Sequence, residues 1–310
     1  MKNLFLAMMV MALTSAGWAA ALGTSTRSAI PGDAQQIISV DYRALRNNST
    51  AQALKNQVLP ENLKAFETSL RGVGINPEKE LEQLTFVSYR TPKQGLKVVG
   101  FAQGQFTQQL VLRKLRLRKV KPAAYSSAAI YPMGDGMQMT FLDSSTLLFG
   151  DGSAVRGAVD ARDGALPNLD SNPDMSDMLG AVESEPVWSL LDSVGTQNMM
   201  RSALGEASQL ADYNQVKKRL VGSHYIMSFN SGVDFNLDVL TSDSMMAATL
   251  SSLVKAGMLY RKMTATPVER VALDSLTVSS DSSALKLHFR TDDNRFQALL
   301  HSDLFAAVSH

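Results

Sequence analysis

The chain contains no cysteine. Disulfide bonds, thiolate metal sites, a lipid-modified cysteine and a cysteine nucleophile are therefore all excluded for this sequence. A fold built without them must be stabilised by the packing of its side chains. The 310 residues, of which 45% are hydrophobic, are enough for one large domain or two of ordinary size.

The N-terminus has the pattern of an export signal. Lys2 supplies a positive charge, residues 4–13 form an uncharged apolar run, and residues 14–21 are mostly small. This pattern predicts a cleavable secretory signal peptide over residues 1–21. An uncleaved anchor is the alternative, but polar residues interrupt the run before it reaches the about 20 apolar residues that a spanning helix needs. We therefore expect a periplasmic or secreted protein.

The charge balance limits the class of partner. The chain has 30 Lys and Arg against 29 Asp and Glu, and removal of residues 1–21 takes away Lys2 alone, leaving 29 of each sign. A dedicated nucleic-acid binder needs a net basic surface. We therefore expect no nucleic-acid partner, whereas a protein or a small molecule remains compatible with neutrality.

Hydrophobic periodicity and turn residues divide the chain into two similar parts. Residues 22–34 are small and polar and predict an N-terminal tail. The segments 35–163 and 174–310 each predict the order strand, helix, hairpin, helix, hairpin, helix, and 164–173 is a linker rich in Gly, Pro, Asn and Asp. This order favours an α+β fold of two similar modules, with mainly antiparallel sheets and helices packed on one face. It also favours an internal duplication, inferred from element order without residue identity between the halves.

Five of the predicted elements bear on function. Helices are expected at Phe106–Leu115, Ser244–Met258 and from Asp292 to about Ala307. Two strands are expected near Val271–Ser279 and Ala284–Arg290. The histidines at positions 224 and 288 fall in strand patterns of the second half.

A short N-terminal segment carries a family resemblance. Ile30-Pro31-Gly32-Asp33-Ala34 leads into a strand that ends in Val40-Asp41. This segment, behind a signal peptide, resembles the opening of a loose group of uncharacterised bacterial secreted proteins that share a Pro-x-Asp-Ala motif. The resemblance covers about a dozen residues, and it implies an exported protein but no particular activity.

A basic segment is the most unusual local feature. Six cations occur within nine residues: Arg113, Lys114, Arg116, Arg118, Lys119 and Lys121. Outside the cytoplasm such a segment can contact lipid head groups, lipopolysaccharide phosphates or an acidic envelope protein. From Leu115 onward the charges also alternate with Leu117 and Val120, as in an edge strand that carries Lys against aggregation.

One tetrapeptide suggests catalysis. Ser252-Leu253-Val254-Lys255 is a Ser-x-x-Lys pattern, which on a helix places a hydroxyl and an amine one turn apart, as in penicillin-binding enzymes. Those enzymes also require a later Lys-Thr-Gly strand and a Ser-x-Asn element, and neither is present. An exposed helix face is the favoured interpretation, and a serine hydrolase using Ser252 and Lys255 is the alternative.

No metal or cofactor is predicted. The four histidines lack the three- or four-residue spacing of a helical metal site, and His224 and His288 would approach each other only if their strands were neighbours. The segment 170–174 spaces oxygen ligands as a calcium loop does, but it lacks the loop's glycine and final glutamate, so it favours a capped helix start. Residues 150–153 likewise favour an ordinary turn and helix cap. The 16 methionines are scattered, which favours core packing over a thioether metal site.

These observations favour an exported, non-enzymatic protein of the cell envelope that binds or supports other components. The basic segment would be its contact surface for an envelope protein, an anionic lipid or a glycan. A serine hydrolase and a homo-oligomer formed through an exposed sheet edge are the two alternatives.

Overall fold

A computed structural model describes residues 21–58, 61–91, 95–204, 211–230 and 232–300. The apolar run of the predicted signal peptide lies outside these residues. Within the described ranges, no helix combines the length and the apolar character that crossing a membrane requires.

The described part of the first half contains seven strands, and its elements follow the predicted order. The helices are α1 (Thr24–Ala29), α2 (Tyr42–Arg46), α3 (Ser49–Val58), α4 (Glu61–Val73), α5 (Pro77–Glu80), α6 (Gln108–Leu117) and α7 (Gly152–Arg162). The strands are β1 (Ala34–Asp41), β2 (Leu81–Thr91), β3 (Gly95–Gly104), β4 (Ala123–Tyr125), β5 (Ala128–Pro132), β6 (Gln138–Phe141) and β7 (Thr146–Gly150).

The second half repeats this order with five strands. The helices are α8 (Pro173–Val182), α9 (Ser193–Leu204), α10 (Ala211–Lys217), α11 (Ser244–Thr264), α12 (Pro267–Ser275) and α13 (Asp293–Leu300). The strands are β8 (Val187–Asp192), β9 (Leu220–Ser228), β10 (Val233–Thr241), β11 (Leu276–Asp281) and β12 (Ala284–Thr291).

The twelve strands of the described residues form one antiparallel sheet in the order β11-β12-β10-β9-β8-β1-β2-β3-β7-β6-β5-β4. The halves meet where β1 pairs with β8, with Ile37 opposite Leu190. Outward from this pair, the first half runs β1-β2-β3-β7-β6 and the second runs β8-β9-β10-β12-β11, which is the same connectivity. The α+β class, with two similar modules and an antiparallel sheet, is confirmed.

The two faces of the sheet are covered differently. One face, here called the α11 face, is covered in both halves, by α4 and α6 in the first and by α9, α11 and α13 in the second. The opposite α7 face is covered by α1, α7 and α8 over the first half and β8, and α8 also contacts β9. The expectation of helices on one face is therefore wrong for the first half, where helices lie on both faces. Beyond β8, the α7 face carries polar side chains that are partly or fully exposed: His224, Asp234, Asn236, Asp238, Lys286 and His288.

A stacked ring pair fixes the position of α4. Phe149 on β7 stacks on Phe66 of α4 with ring centroids 3.7 Å apart. A side chain at Gly100 of β3 would overlap the Phe149 ring, so glycine leaves the room that the ring occupies. Because α6 packs against α4, this pair also places α6 on the α11 face.

The predicted tail and linker are parts of the fold. Residues 24–29 form α1, and Ile30 is fully buried in the same core as α7. The linker segment pairs with this region, because the Leu169 amide donates to the Ile30 carbonyl at 2.8 Å and Pro31 forms a β-bridge with Asn168. The expectation of a tail over 22–34 and a free linker over 164–173 is therefore corrected. Residues 22–34 and 164–173 each contain few apolar residues. These residues are buried because the two segments pack against each other, which the sequence pattern of either segment does not show.

Helix α12 of the second half is missing from the sequence-based prediction. Residues 267–275 form α12, so Val271 is helical and β11 begins only at Leu276. The start of α12 has a complete capping box, in which Thr266 and Glu269 each bond the other's backbone amide, followed by a proline at the first position. Residues 259–264, beyond the predicted helix end, also belong to α11.

Two predicted helix starts are confirmed, although the sequence favoured Ser153 as the cap of the second and the structure has Asp151 there. The Asn172 side chain accepts from the Met175 amide at the start of α8. Asp151 accepts from the amides of Ser153 and Ala154 at the start of α7. The calcium-like and glycine-rich patterns are therefore helix starts.

Candidate anion-binding surface

The basic segment begins on α6, which lies on the α11 face. Val111 and Leu115 are buried against α4, so the opposite arc of α6 faces solvent. Residues 115–117 continue the helix, and residues 118–121 form no strand. The edge-strand interpretation is therefore wrong. The charges recur with the helical period, and Val120 is partly buried because it packs back on the helix end, not because it belongs to a strand.

The end of α6 is a regular helix stop with an unusual residue. The Val120 amide donates to the Leu115 carbonyl at 3.0 Å and the Lys119 amide to the Arg116 carbonyl at 2.9 Å, which is the Schellman arrangement. Lys119 has a φ of 58°, in the left-handed region that favours glycine. Lys119 therefore occupies a backbone conformation that glycine adopts with less strain.

Two of the six cations are fixed by backbone carbonyls at the C-terminal end of α4. Lys114 donates from Nζ to the Gly74 carbonyl at 3.3 Å, and Arg118 donates to the Gly72 carbonyl. Gly74 has a φ of 94°, and a side chain there would overlap the Lys114 stem. The end of α4 therefore orients two cations without neutralising their charge.

The other four cations have no acidic partner in the part of the chain that the structure describes: Arg113, Arg116, Lys119 and Lys121. Nearby carboxylates are engaged elsewhere. Glu78 pairs with Arg71, and Glu80 accepts from the Asn76 amide at 2.5 Å. All six cations are exposed, so their positive potential reaches solvent uncompensated.

Two leucines interrupt the cations on the solvent arc of α6. Leu110 is 53% exposed and Leu117 is 74% exposed. With Arg113 they occupy positions i, i+3 and i+7, which share one side of a helix. We call Leu110, Leu117 and the six cations together the basic face. The leucines were visible in the sequence, but only the position of the buried stripe shows that they point outward.

The structure separates the two residues of the hydrolase alternative. Ser252 is exposed on α11, and its Oγ donates to the Ala248 carbonyl at 3.1 Å. Lys255, one turn later, lines a groove between α11 and β11 that does not include Ser252. Among the described residues, no hydrogen bond joins the serine to the lysine. The pair thus lacks the geometry of a nucleophile and its base.

His224 and His288 lie on the open part of the α7 face. Strand β10 separates their strands, so they are not neighbours. Each lies near an aspartate of β10: His224 Nε2 is 3.8 Å from Asp238 and His288 Nε2 is 3.2 Å from Asp234. Burial lowers the pKa of His224 below its ordinary value, against the opposing effect of Asp238. No cluster of three metal-ligating side chains is found among the residues described.

Comparison with known proteins shows the fold. No protein-family model matches the chain, and no curated protein matches it. The structure of crystal form III of TP0453 is similar, with a TM-score of 0.50, 8% identity, and coverage of 90% of this chain and 98% of that one. Crystal form I of TP0453 has a TM-score of 0.47 at 8% identity, covering 92% of this chain and 100% of that one. The chain therefore shares its fold with TP0453, and 8% identity extends the likeness no further.

Proposed function

We propose that this protein is an exported, non-enzymatic component of the bacterial cell envelope that binds anionic lipid head groups through its basic face. The observation that carries the proposal is the set of six exposed cations on and after α6, four of which have no acidic partner among the described residues. The predicted signal peptide supports the location outside the cytoplasm.

The exposed leucines favour a lipid over a soluble anion. A helix that lies on a membrane surface presents apolar side chains to the acyl region and cations to the phosphates around it. Leu110 and Leu117 occupy the centre of the solvent arc, with Arg113 between them. An acidic protein or a free phosphate would be attracted by the cations but would not require these leucines.

Vesicle binding tests the proposal. The mature chain is titrated with vesicles of phosphatidylglycerol and with vesicles of phosphatidylcholine. We compare it with a variant carrying Arg113→Gln, Arg116→Gln and Lys119→Gln. Each cation near an anionic surface contributes about 1 kcal/mol, so the triple variant should bind phosphatidylglycerol roughly 100-fold more weakly. Salt should weaken the binding of the wild type.

A matched control removes the same charge elsewhere. Lys217, Lys218 and Arg219, at the end of α10 in the second half, are replaced by Gln. This control should keep most of the affinity of the wild type. Equal losses in both triple variants would reduce the effect to net charge and contradict a role for the basic face.

A second variant distinguishes lipid from other anions. Leu110→Gln with Leu117→Gln keeps every cation, and both side chains are largely exposed, so the fold should be retained. We expect weaker binding to phosphatidylglycerol vesicles and unchanged binding to tripolyphosphate. Unchanged vesicle binding would favour a soluble anion or an acidic protein as the partner.

A further inference from the structure

A groove lies at the opposite end of the sheet from β4, between α11 and the edge strand β11. Four residues of α11 at positions i, i+3, i+4 and i+7 face two residues of the strand: Lys255, Met258, Leu259 and Lys262 with Leu276 and Val278. The groove has a volume of about 310 Å³. Its floor is apolar, and Leu259 on its rim is 66% exposed.

In the part of the chain that the structure describes, the strand beside the groove is a free edge. Among the described strands, β11 pairs with β12 alone, in a register without a bulge from Leu276 to Asp281. In an antiparallel edge strand, every second residue directs its backbone N–H and C=O away from the sheet. A pairing surface for another strand is therefore present along the groove.

The two edges of the sheet differ in their protection. At the other end, β4 has three residues and follows Lys121 and Pro122, which are residues that discourage pairing at an edge. Strand β11 has six residues and contains neither lysine nor proline. Strand β11 therefore lacks the features that protect β4, and it lies next to an apolar groove. Such an edge can pair with an added strand.

We propose that β11 and α11 form a docking site for an extended peptide segment of a partner protein, which pairs with β11 as an additional strand. Alternate side chains of the peptide would lie beside Leu276 and Val278 and reach the apolar groove, so the site selects apolar residues at every second position. An acidic residue of the peptide would meet Lys255.

The charges favour this occupant over a second copy of the chain. Lys262 pairs with Asp274 at 2.6 Å, whereas Lys255 has no acidic partner among the residues described. In a two-fold dimer through β11, the same lysines of both copies would come together along one seam. A peptide with a carboxylate instead complements the unpaired lysine.

A random peptide library tests the site, because such a selection reports the preferred peptide chemistry directly. The purified chain from residue 22 is used to select from phage-displayed eight-residue peptides. We expect enrichment of alternating apolar or β-branched residues with one acidic residue. An enriched peptide is then measured against Lys255→Glu, and we expect about tenfold weaker binding. The matched control is Ser252→Glu, which places a negative charge on α11 outside the groove.

Hydrogen exchange shows where the peptide binds. The enriched peptide should slow exchange of backbone amides in residues 276–280. A form of the peptide with N-methyl groups on the amides of one edge should lose both binding and protection. Val278→Lys should abolish binding, and Leu259→Asp should weaken it while the melting temperature is kept, because Leu259 is largely exposed.

Three outcomes would overturn the proposal. The first is a selection without enrichment over the Val278→Lys variant. The second is a peptide that binds Lys255→Glu and wild type equally and leaves 276–280 unprotected. The third is concentration-dependent protection of β11 without peptide, together with a dimer in sedimentation, which would make a second copy the occupant. The variants at positions 255, 259 and 278 keep every residue of the basic face, so vesicle binding should be unchanged and the two proposals fail separately.

Discussion

The two halves of the sheet have the same strand order but are covered differently. In the first half helices pack on both faces, and three consecutive residues of β7, Leu147, Leu148 and Phe149, are all buried. In the second half, beyond β8, the described helices cover the α11 face, and on the α7 face α8 reaches only the neighbouring strand β9. Its strand β10 alternates Asp234, Asn236 and Asp238 with apolar residues.

This difference shows what the local pattern of a strand reports. A strand covered on two faces is apolar at consecutive positions, whereas a strand covered on one face alternates apolar and polar residues. Equal connectivity therefore does not imply equal surroundings. In the second half, the open part of the α7 face is a polar surface formed by strands. In the first half, the exposed cations lie on and after helix α6.

The largest expected effect contrasts equivalent strands of the two halves. Leu148→Ala on β7 removes a fully buried side chain and should lower the free energy of unfolding by about 2–5 kcal/mol. His288→Ala on β12 lies on the open face and should cost less than about 1 kcal/mol. Urea denaturation measures both. Similar losses would mean that the second half is also covered on this face.

Two buried hydroxyl pairs, one on each covered face of the sheet, are expected to contribute differently to stability. Ser39 Oγ lies 2.9 Å from Thr85 Oγ1 and accepts from Gln83 Nε2 at 3.0 Å, so Ser39→Ala should cost about 1–3 kcal/mol. Ser223→Ala should cost less, about 0.5–1.5 kcal/mol, because Thr196 keeps the Leu191 carbonyl as an acceptor. Chemical denaturation of the two variants gives the order, and a reversed order would contradict it.

A substitution at the end of α6 is expected to stabilise the protein by a smaller amount, and the end of α11 offers no such substitution. Lys119→Gly relieves the left-handed backbone at the end of α6 and should raise the free energy of unfolding by about 0.5–1 kcal/mol, despite the greater freedom of glycine in the unfolded chain. Lys119→Ala removes the same charge without this relief and should give no gain. Thermal denaturation distinguishes the two. Residue Ala265, after α11, is extended, so no such gain is available there.

The smallest expected effect is a pH dependence on the open face. Burial lowers the pKa of His224 in the folded protein, where it faces Asp238 and Lys286, so the unfolded chain takes up its proton first as pH falls. The contribution of His224 to stability is complete above the unfolded pKa of about 6.5 and decreases as pH falls below it. His224→Gln should therefore flatten the loss of stability between about pH 7 and pH 5. His288→Gln is the control, and an unchanged slope in His224→Gln would contradict the assignment.

Strongly periodic elements could be predicted from the sequence, and elements that depend on distant contacts could not. The hairpin of β2 and β3, the alternation in β10 and the helix starts after residues 151 and 172 follow from local residue choice. The helix α1 could not be predicted in this way, because Ile30 is its main apolar anchor and its burial requires Leu169. The capping box of α12 was a readable signal that the prediction missed.

The candidate sites divide in the same way. The sequence identified the six cations of the basic face and the lysine of the groove, because charge and composition are local properties. Only the tertiary structure decided that α6 buries Val111 and Leu115 and so turns Leu110 and Leu117 outward, and that Lys255 lies beside a free strand and apart from Ser252.

The sequence by itself determined the class of the fold, the order of its longer strands and the absence of cysteine chemistry. The tertiary structure decided that both halves share one sheet, which faces are covered and which edge is left open. The physical reason is that periodicity and capping depend on residues within one or two turns, whereas burial and strand pairing depend on which distant segments meet, as Ile37 meets Leu190 between β1 and β8.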